Sequence, residues 1–199
     1  INNVTEAMEQ MIADGITEVI VQPTHVINGI ENDLMKEDAL AFKNRFERIT
    51  FGDPLLTTQQ DHVEIVNAIC QEFSNLPADC ALILMGHGTS HYANDVYAAL
   101  DYRFKDLGFS NIHLATVEGY PTLENVTRMV KEQEAKKVIL APFMIVAGDH
   151  ARNDMSGDDE DSWKNQFRAA GYDVECRMKG LGEYPAIQDM LIRHVTEVC

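Results

Sequence analysis

Residues 137–155 read KVILAPFMIVAGDHARNDM, and the reading of this stretch decides the fold. Val138, Ile139 and Leu140 follow one another without a polar break, the pattern of a strand covered on both faces. The strand runs out into Gly148-Asp149-His150 and then Ala-Arg-Asn-Asp. Ligands of open α/β sheets bind beyond the carboxyl ends of the strands. A buried strand that delivers a glycine and then a histidine is therefore a candidate site.

An earlier stretch repeats it. VIVQPTHVINGIE (19–31) aligns without a gap on VILAPFMIVAGDH (138–150). Val19 falls on Val138, Pro23 on Pro142, Ile27 on Val146, Gly29 on Gly148 and Glu31 on His150, all at one offset of 119 residues. Upstream, Asn3-Val4-Thr5 matches Asn125-Val126-Thr127 once three residues are inserted near Asp14-Gly15. Similarity at a fixed offset implies two related lobes, 1–76 and 77–199, facing each other. Glu31 and His150 would then project from equivalent loops into one cleft. The second lobe carries a strand, a helix and a further strand ahead of its copy of the repeat, and the first has no counterpart for them. The N-terminal lobe is thus expected to be incomplete, with a preceding segment on the order of half a lobe.

Apolar periodicity and turn residues predict helices over 2–13, 32–46, 57–73, 92–107, 122–134, 162–170 and 184–198. They predict strands over 16–24, 48–51, 80–86, 112–118 and 173–178, besides the one that opens at 137. Strict alternation of the two predicts an α/β fold of two similar lobes, with parallel sheets flanked by helices.

The net charge of −16 makes nucleic acid and anionic membrane surfaces poor partners, while favouring divalent cations near the surface. No apolar run approaches the roughly 18 residues of a membrane helix, and the start does not read as a signal peptide. Cys70, Cys80, Cys176 and Cys199 show no CxxC spacing, which fits a reducing compartment such as the cytoplasm, and Cys80 reads as a buried thiol. A homo-oligomer is among the assemblies expected.

Four polar groups sit just past predicted strand ends: Glu31, His87, Glu118 and His150. Two imidazoles with one or two carboxylates suit a borderline divalent ion such as Co²⁺, Fe²⁺, Ni²⁺ or Zn²⁺, and serve equally as proton acceptors near neutral pH. A lone loop histidine is more often a solvated or capping residue, and Glu118 reads equally well as a helix cap. His87 departs from that ordinary reading because glycines flank it on both sides directly after a buried strand. His25, His62, His91, His113 and His194 carry no such signal, although His91 shares a loop with His87 and His25 shares one with Glu31. GHGTS (86–90) lacks the GK[ST] ending and the GxGxxG spacing of phosphate loops. The acidic run 158–161 reads as a helix N-terminus, and Trp163, Phe167 and Tyr172 as core. No nucleophile elbow is present.

MGHGTSH, VEGYP, AGDHARNDM with DDEDSWK, and GLGEYPAI occur in that order, with QPTHVINGIE and GDPLL before them. Together they resemble the anaerobic cobalt chelatase (sirohydrochlorin cobaltochelatase) family, relatives of the class II chelatases and ferrochelatase. The resemblance spans essentially the whole chain. It implies two lobes related by a pseudo-two-fold, a sirohydrochlorin-type tetrapyrrole in the cleft, and ATP-independent insertion of Co²⁺ as the substrate ion in cobalamin biosynthesis, with no organic cofactor. By motif, His87 takes the role of proton acceptor and metal ligand, with Glu118 and His150 as the other ligands. Glu31 is the acidic cleft residue sharing the proton work, and Gly86, Gly88, Thr89 and His91 form the substrate loop. The family's opening strand, with its SFGTS-like loop, has no match here. Competing readings are a tetrapyrrole or metal carrier without turnover, a chelatase for Fe²⁺ or Ni²⁺, and a zinc hydrolase.

Overall fold

Every strand pairing among residues 2–199, which the computed structural model describes, is parallel. The elements run α1 (Val4–Ala13), β1 (Glu18–Val21), α2 (Ile30–Leu40), β2 (Arg48–Phe51), α3 (Gln59–Glu72), β3 (Cys80–Gly86), α4 (Asp95–Asp106), β4 (Ile112–Thr116), α5 (Leu123–Glu132), β5 (Lys137–Pro142), α6 (Trp163–Ala169), β6 (Asp173–Cys176) and α7 (Pro185–Thr196). β1 and β2 form a two-stranded sheet, and β4-β3-β5-β6 a four-stranded one. The fold is α/β with parallel sheets flanked by helices. No helix among the described residues is long and apolar enough to cross a membrane.

The internal repeat reappears as topology. β1 pairs with β2 as β5 pairs with β6, so Val19 lies beside Ile49 and its counterpart Val138 beside Val174. α1 precedes β1 as α5 precedes β5, and α3 follows β2 as α7 follows β6.

β3 is the centre, with all seven residues buried. Alternate side chains leave a strand on opposite faces. Leu82 and Leu84 accordingly join Ile112, Leu114 and Ile139 in one core under α3, α4 and α7. Ala81, Ile83 and Met85 join Val138, Leu140, Trp163 and Phe167 in the other. α3 comes from the first half of the chain, yet Ile65, Val66, Ile69 and Cys70 pack into the core of the second sheet.

Capping sets most helix starts. Asn3, Thr58 and Thr122 each accept from the third residue of their helix in reciprocal capping boxes, and Pro185 opens α7. Several bounds change: the strand over 16–24 narrows to Glu18–Val21, that over 173–178 ends at Cys176, and the helix over 92–107 opens with a 3₁₀ turn at Tyr92–Asn94. The helix predicted over 32–46 begins earlier, at Ile30, and stops at Leu40, with a separate 3₁₀ turn at Lys43–Arg45. Gly29, in extended backbone, starts it, and its carbonyl accepts Asn32 N–H and Asp33 N–H. Glu31 therefore rides on the first helical turn rather than in an exit loop. The strand over 112–118 ends at Thr116, and Glu118 lies in the turn beyond.

A buried polar clamp joins the ends of α3 and α7. Asp61 is fully buried and accepts from Thr58 N–H at 2.7 Å, Arg193 Nη2 at 2.8 Å and His194 Nε2 at 2.9 Å. Burial pushes its carboxyl up, but Arg193, Thr58 and His194 together hold it well below the ordinary 3.8. His194 Nδ1 reaches Asp53 O, and Leu55 N–H and Leu56 N–H donate to His25 O and Val26 O. The clamp thus fixes the loop that leads to Glu31. A second buried cluster lies at the start of β4, where His113 meets Lys105 and Gln133. Burial, with Lys105 beside it, holds His113 below its usual 6.5, and burial lowers His62 likewise.

Removing one partner of a buried charged pair costs about 3–5 kcal/mol, so Asp61→Ala is expected to lower the urea unfolding free energy by about that much. Acid should act in two stages. His113 and His62 protonate more readily unfolded than folded, so stability is complete above pH 6.5 and declines as pH falls below it. Asp61 adds a further loss below about pH 3.8. Thermal midpoints measured from pH 7.5 to 4 should show the first decline, and His113→Asn should flatten it.

Candidate metal-binding and catalytic site

The loops that leave β3, β4 and β5 are tied together by hydrogen bonds that continue the parallel ladder beyond the strands. Val117 N–H donates to Gly86 O at 3.1 Å, Glu118 N–H to His87 O at 2.8 Å, and Phe143 N–H to Met85 O at 2.6 Å. The backbones of His87 and Glu118 are thus held in register. Two glycines permit the approach. Gly88 has φ +84, and a Cβ there would stand 2.6 Å from Gly119 N; a Cβ on Gly119 would stand 2.3 Å from Asn94 Oδ1. Asn94 links both loops, accepting Thr89 N–H at 3.1 Å and donating to Tyr120 O at 2.6 Å.

His87, Glu118 and His150 come together, with one ligand atom of each within 4.8 Å of the others. The two imidazoles meet edge to face, centroids 4.7 Å apart and planes at 80°. His87 Nδ1 lies 2.9 Å from Gly88 O. A carbonyl can only accept, so Nδ1 carries the proton and Nε2 offers the lone pair. His150 Nδ1 lies 2.5 Å from Asp154 Oδ2. Two imidazoles and a carboxylate, half-buried to exposed and without a thiolate, suit a borderline divalent ion reached from solvent.

His87 also lines a cavity of about 180 Å³ together with His25, Glu31, Gly88, Thr89, Tyr97 and Met144. Burial pushes the Tyr97 hydroxyl up to about 12, so it faces this space as a neutral group. Among the candidates drawn from the sequence, the structure gathers His87, Glu118 and His150 in one cluster and Glu31, His87, Gly88 and Thr89 on one cavity. Gly86 and His91 are placed otherwise. A Cβ on Gly86 would press within 2.7 Å of the Tyr97 ring. His91 Nδ1 accepts Ala93 N–H at 3.2 Å, capping the 3₁₀ turn Tyr92–Asn94, and its Nε2 lies 3.7 Å from Asp33.

Tyr97 reaches the cavity without a motif to announce it, whereas His25 and Met144 fall within the repeated stretches 19–31 and 138–150; the buried Nδ1 of His25 has no hydrogen-bond partner. For His25 the available signal was its place in the repeat, six residues before Glu31. The acidic run 158–161 precedes α6, whose cap is Ser162, and Trp163 and Phe167 are core, as read from the sequence.

A family model described as Cobalt chelatase (CbiK) matches residues 1–199. A sirohydrochlorin cobaltochelatase of Salmonella typhimurium is 37% identical over 190 residues, covering 96% of this chain and 72% of the relative. Sirohydrochlorin cobaltochelatase CbiKC of Nitratidesulfovibrio vulgaris is 32% identical over 201 residues, covering 98% and 70%. Among solved structures, the sirohydrochlorin chelatase SirB of Bacillus subtilis subspecies spizizenii in complex with cobalt superposes with a TM-score of 0.64 at 14% identity, covering 98% of this chain and 75% of that one. SirB from Bacillus subtilis with Fe³⁺ gives 0.67 at 13%, covering 98% and 77%. The structural likenesses bear on the fold alone.

Replacing Gly88 by Ala adds both left-handed strain and a clash with the Gly119 backbone. The strain alone is worth about 1–3 kcal/mol. Gly108→Ala, at φ +88 with nothing within 4 Å, carries the strain without the clash. The Gly88 variant should therefore unfold at lower urea than the Gly108 variant.

Proposed function

The chain belongs to the cobalt chelatase (CbiK) family, and on that premise we propose that it inserts Co²⁺ into sirohydrochlorin without ATP, holding the ion on His87, Glu118 and His150. The observation that supports this most directly is the convergence of those three side chains from the loops after β3, β4 and β5.

Metallation exchanges two pyrrole N–H protons for one Co²⁺, so two protons must leave while the hydrated ion sheds water. Three protein ligands leave coordination positions open for water and for the incoming ring nitrogens. Glu118 supplies charge to attract the ion, and the Nε2 lone pairs of the imidazoles supply borderline donors. Proton removal falls to groups beside the ion on the cavity side. Glu31 and His87 both line that cavity, and His87 belongs to both sets. Its two uses compete, because an imidazole that holds the metal cannot hold the proton at the same nitrogen. Glu31, carried on α2 outside the cluster, is free to take a proton while His87 remains on the ion.

The cavity is smaller than the ~300–1,000 Å³ typical of sites that enclose a drug-sized ligand. In this reading the macrocycle lies across its mouth, with the ion on one side. Sirohydrochlorin is rich in carboxylates and the chain is acidic, so ring carboxylates must meet local donors. Backbone N–H groups of the loop 86–91 other than those of Thr89 and His91, which Asn94 and Thr89 already occupy, are suited to this.

Anaerobic incubation with sirohydrochlorin and Co²⁺, followed by absorbance, should show metallation on addition of catalytic protein. Glu31→Gln should lower kcat by roughly 10²–10⁴-fold, the usual contribution of a proton acceptor. His87→Ala should abolish turnover while the thermal midpoint holds. Binding of the tetrapyrrole without turnover would identify a carrier instead, and an unchanged rate in His87→Ala would remove that residue from the mechanism.

A further inference from the structure

His150 is not held as His87 is. The partner of His87 Nδ1 is a neutral carbonyl of its own loop, at 2.9 Å; that of His150 Nδ1 is the carboxylate of Asp154, at 2.5 Å. An ionised carboxylate only accepts, so the ring proton sits on Nδ1 and the free lone pair on Nε2. An outer carboxylate of this kind fixes a ligand histidine's tautomer and orientation and raises its donor strength.

The backbone gives this contact a fixed span. Residues Ala151–Met155 form a single turn of π-helix, a rare element found frequently at functional sites. Its side chains Ala151 and Met155 are fully buried in the core that holds Trp163 and Phe167. Ser156 N–H closes the turn onto Ala151 O at 3.1 Å, and Ser156 Oγ donates to the same oxygen at 2.8 Å. Gly157 N–H donates to Asn153 O at 2.9 Å, an approach that only glycine allows, since a Cβ there would lie 2.3 Å from that oxygen. Asp154 thus projects from a turn anchored on both sides, four residues beyond His150. An exposed contact between side chains four residues apart adds little to stability, so a purely structural role is small.

We propose that Asp154 is a positioning residue of the metal site: its carboxylate holds the His150 ring so that Nε2 faces the incoming divalent ion. This rests on His150 being a ligand of the substrate ion. It implies an unequal pair of imidazoles, with His150 the ligand that recruits and retains the ion, and His87, backed only by a carbonyl, the one more easily exchanged during transfer to the ring.

The test uses the whole chain and Co²⁺ alone, titrated anaerobically by calorimetry and by the visible cobalt absorption, in wild type, Asp154→Ala, Asp154→Asn, His150→Ala and the surface control Glu160→Gln. Asp154→Ala should raise the Co²⁺ dissociation constant by about 10–100-fold. Asp154→Asn should fall between, because its amide oxygen still accepts the Nδ1 proton but has lost the charge. In turnover, the KM for Co²⁺ should rise while kcat at saturating Co²⁺ stays within about twofold, and Glu160→Gln should match wild type. The thermal midpoint of each variant should stay near that of wild type, as the small worth of the pair requires. A Co²⁺ affinity of Asp154→Ala within about twofold of wild type, with binding lost in His150→Ala, would overturn the role of Asp154 while leaving the metal site standing. Wild-type binding by His150→Ala would remove the site reading itself and the inference with it.

Discussion

The parallel ladder around β3 continues past the strand's last residue, and the candidate site depends on that continuation. Glu118 N–H on His87 O and Phe143 N–H on Met85 O are backbone bonds, so they hold the three loops together whatever side chains the loops carry. Their geometry requires loops that approach within van der Waals distance, which is why glycines occupy positions 88 and 119. A site assembled on backbone hydrogen bonds at the end of a fully buried strand loses little order on binding an ion. Preorganisation of this kind separates a built cluster from three polar residues that happen to be near one another.

The other wall of the cavity is held differently. Glu31 and His25 sit beyond a strand of only four residues in a two-stranded sheet. Their loop is braced by Leu55 and Leu56, whose segment is in turn fixed by the Asp61 clamp to α3 and α7. One wall therefore rests on a deep apolar core and the other on a buried charged network. The cluster of His87, Glu118 and His150 belongs to the first wall. Glu31, on the second, lines the cavity without belonging to that cluster.

Much of the fold is legible in the sequence. The apolar run of β3, the helices that begin near Thr58 and Thr122, and the repeat between 19–31 and 138–150 each express a local rule, since burial on both faces and helical periodicity leave marks at fixed spacings. His87, Glu118 and His150 could be picked out because α/β sheets present chemistry at strand ends, and the flanking glycines of His87 marked close backbone approach. The alignment of Glu31 with His150 placed both in exit loops, whereas each lies in a helical turn that starts after a glycine, Glu31 in α2 and His150 just ahead of Ala151–Met155.

The sequence by itself determined the class of fold, the order of its elements and the donor types at the strand ends, because these follow from periodicity and residue chemistry within short windows. Only the tertiary structure decided which donors meet. The 4.8 Å spacing of the cluster, the cavity that pairs His87 with Glu31 and His25, the packing of α3 into the second sheet, and the carboxylate of Asp154 on His150 all depend on contacts between segments or on the pitch of one π turn. No window of sequence contains those distances: contacts between segments are set by packing, and the pitch of the π turn by the core that buries Ala151 and Met155.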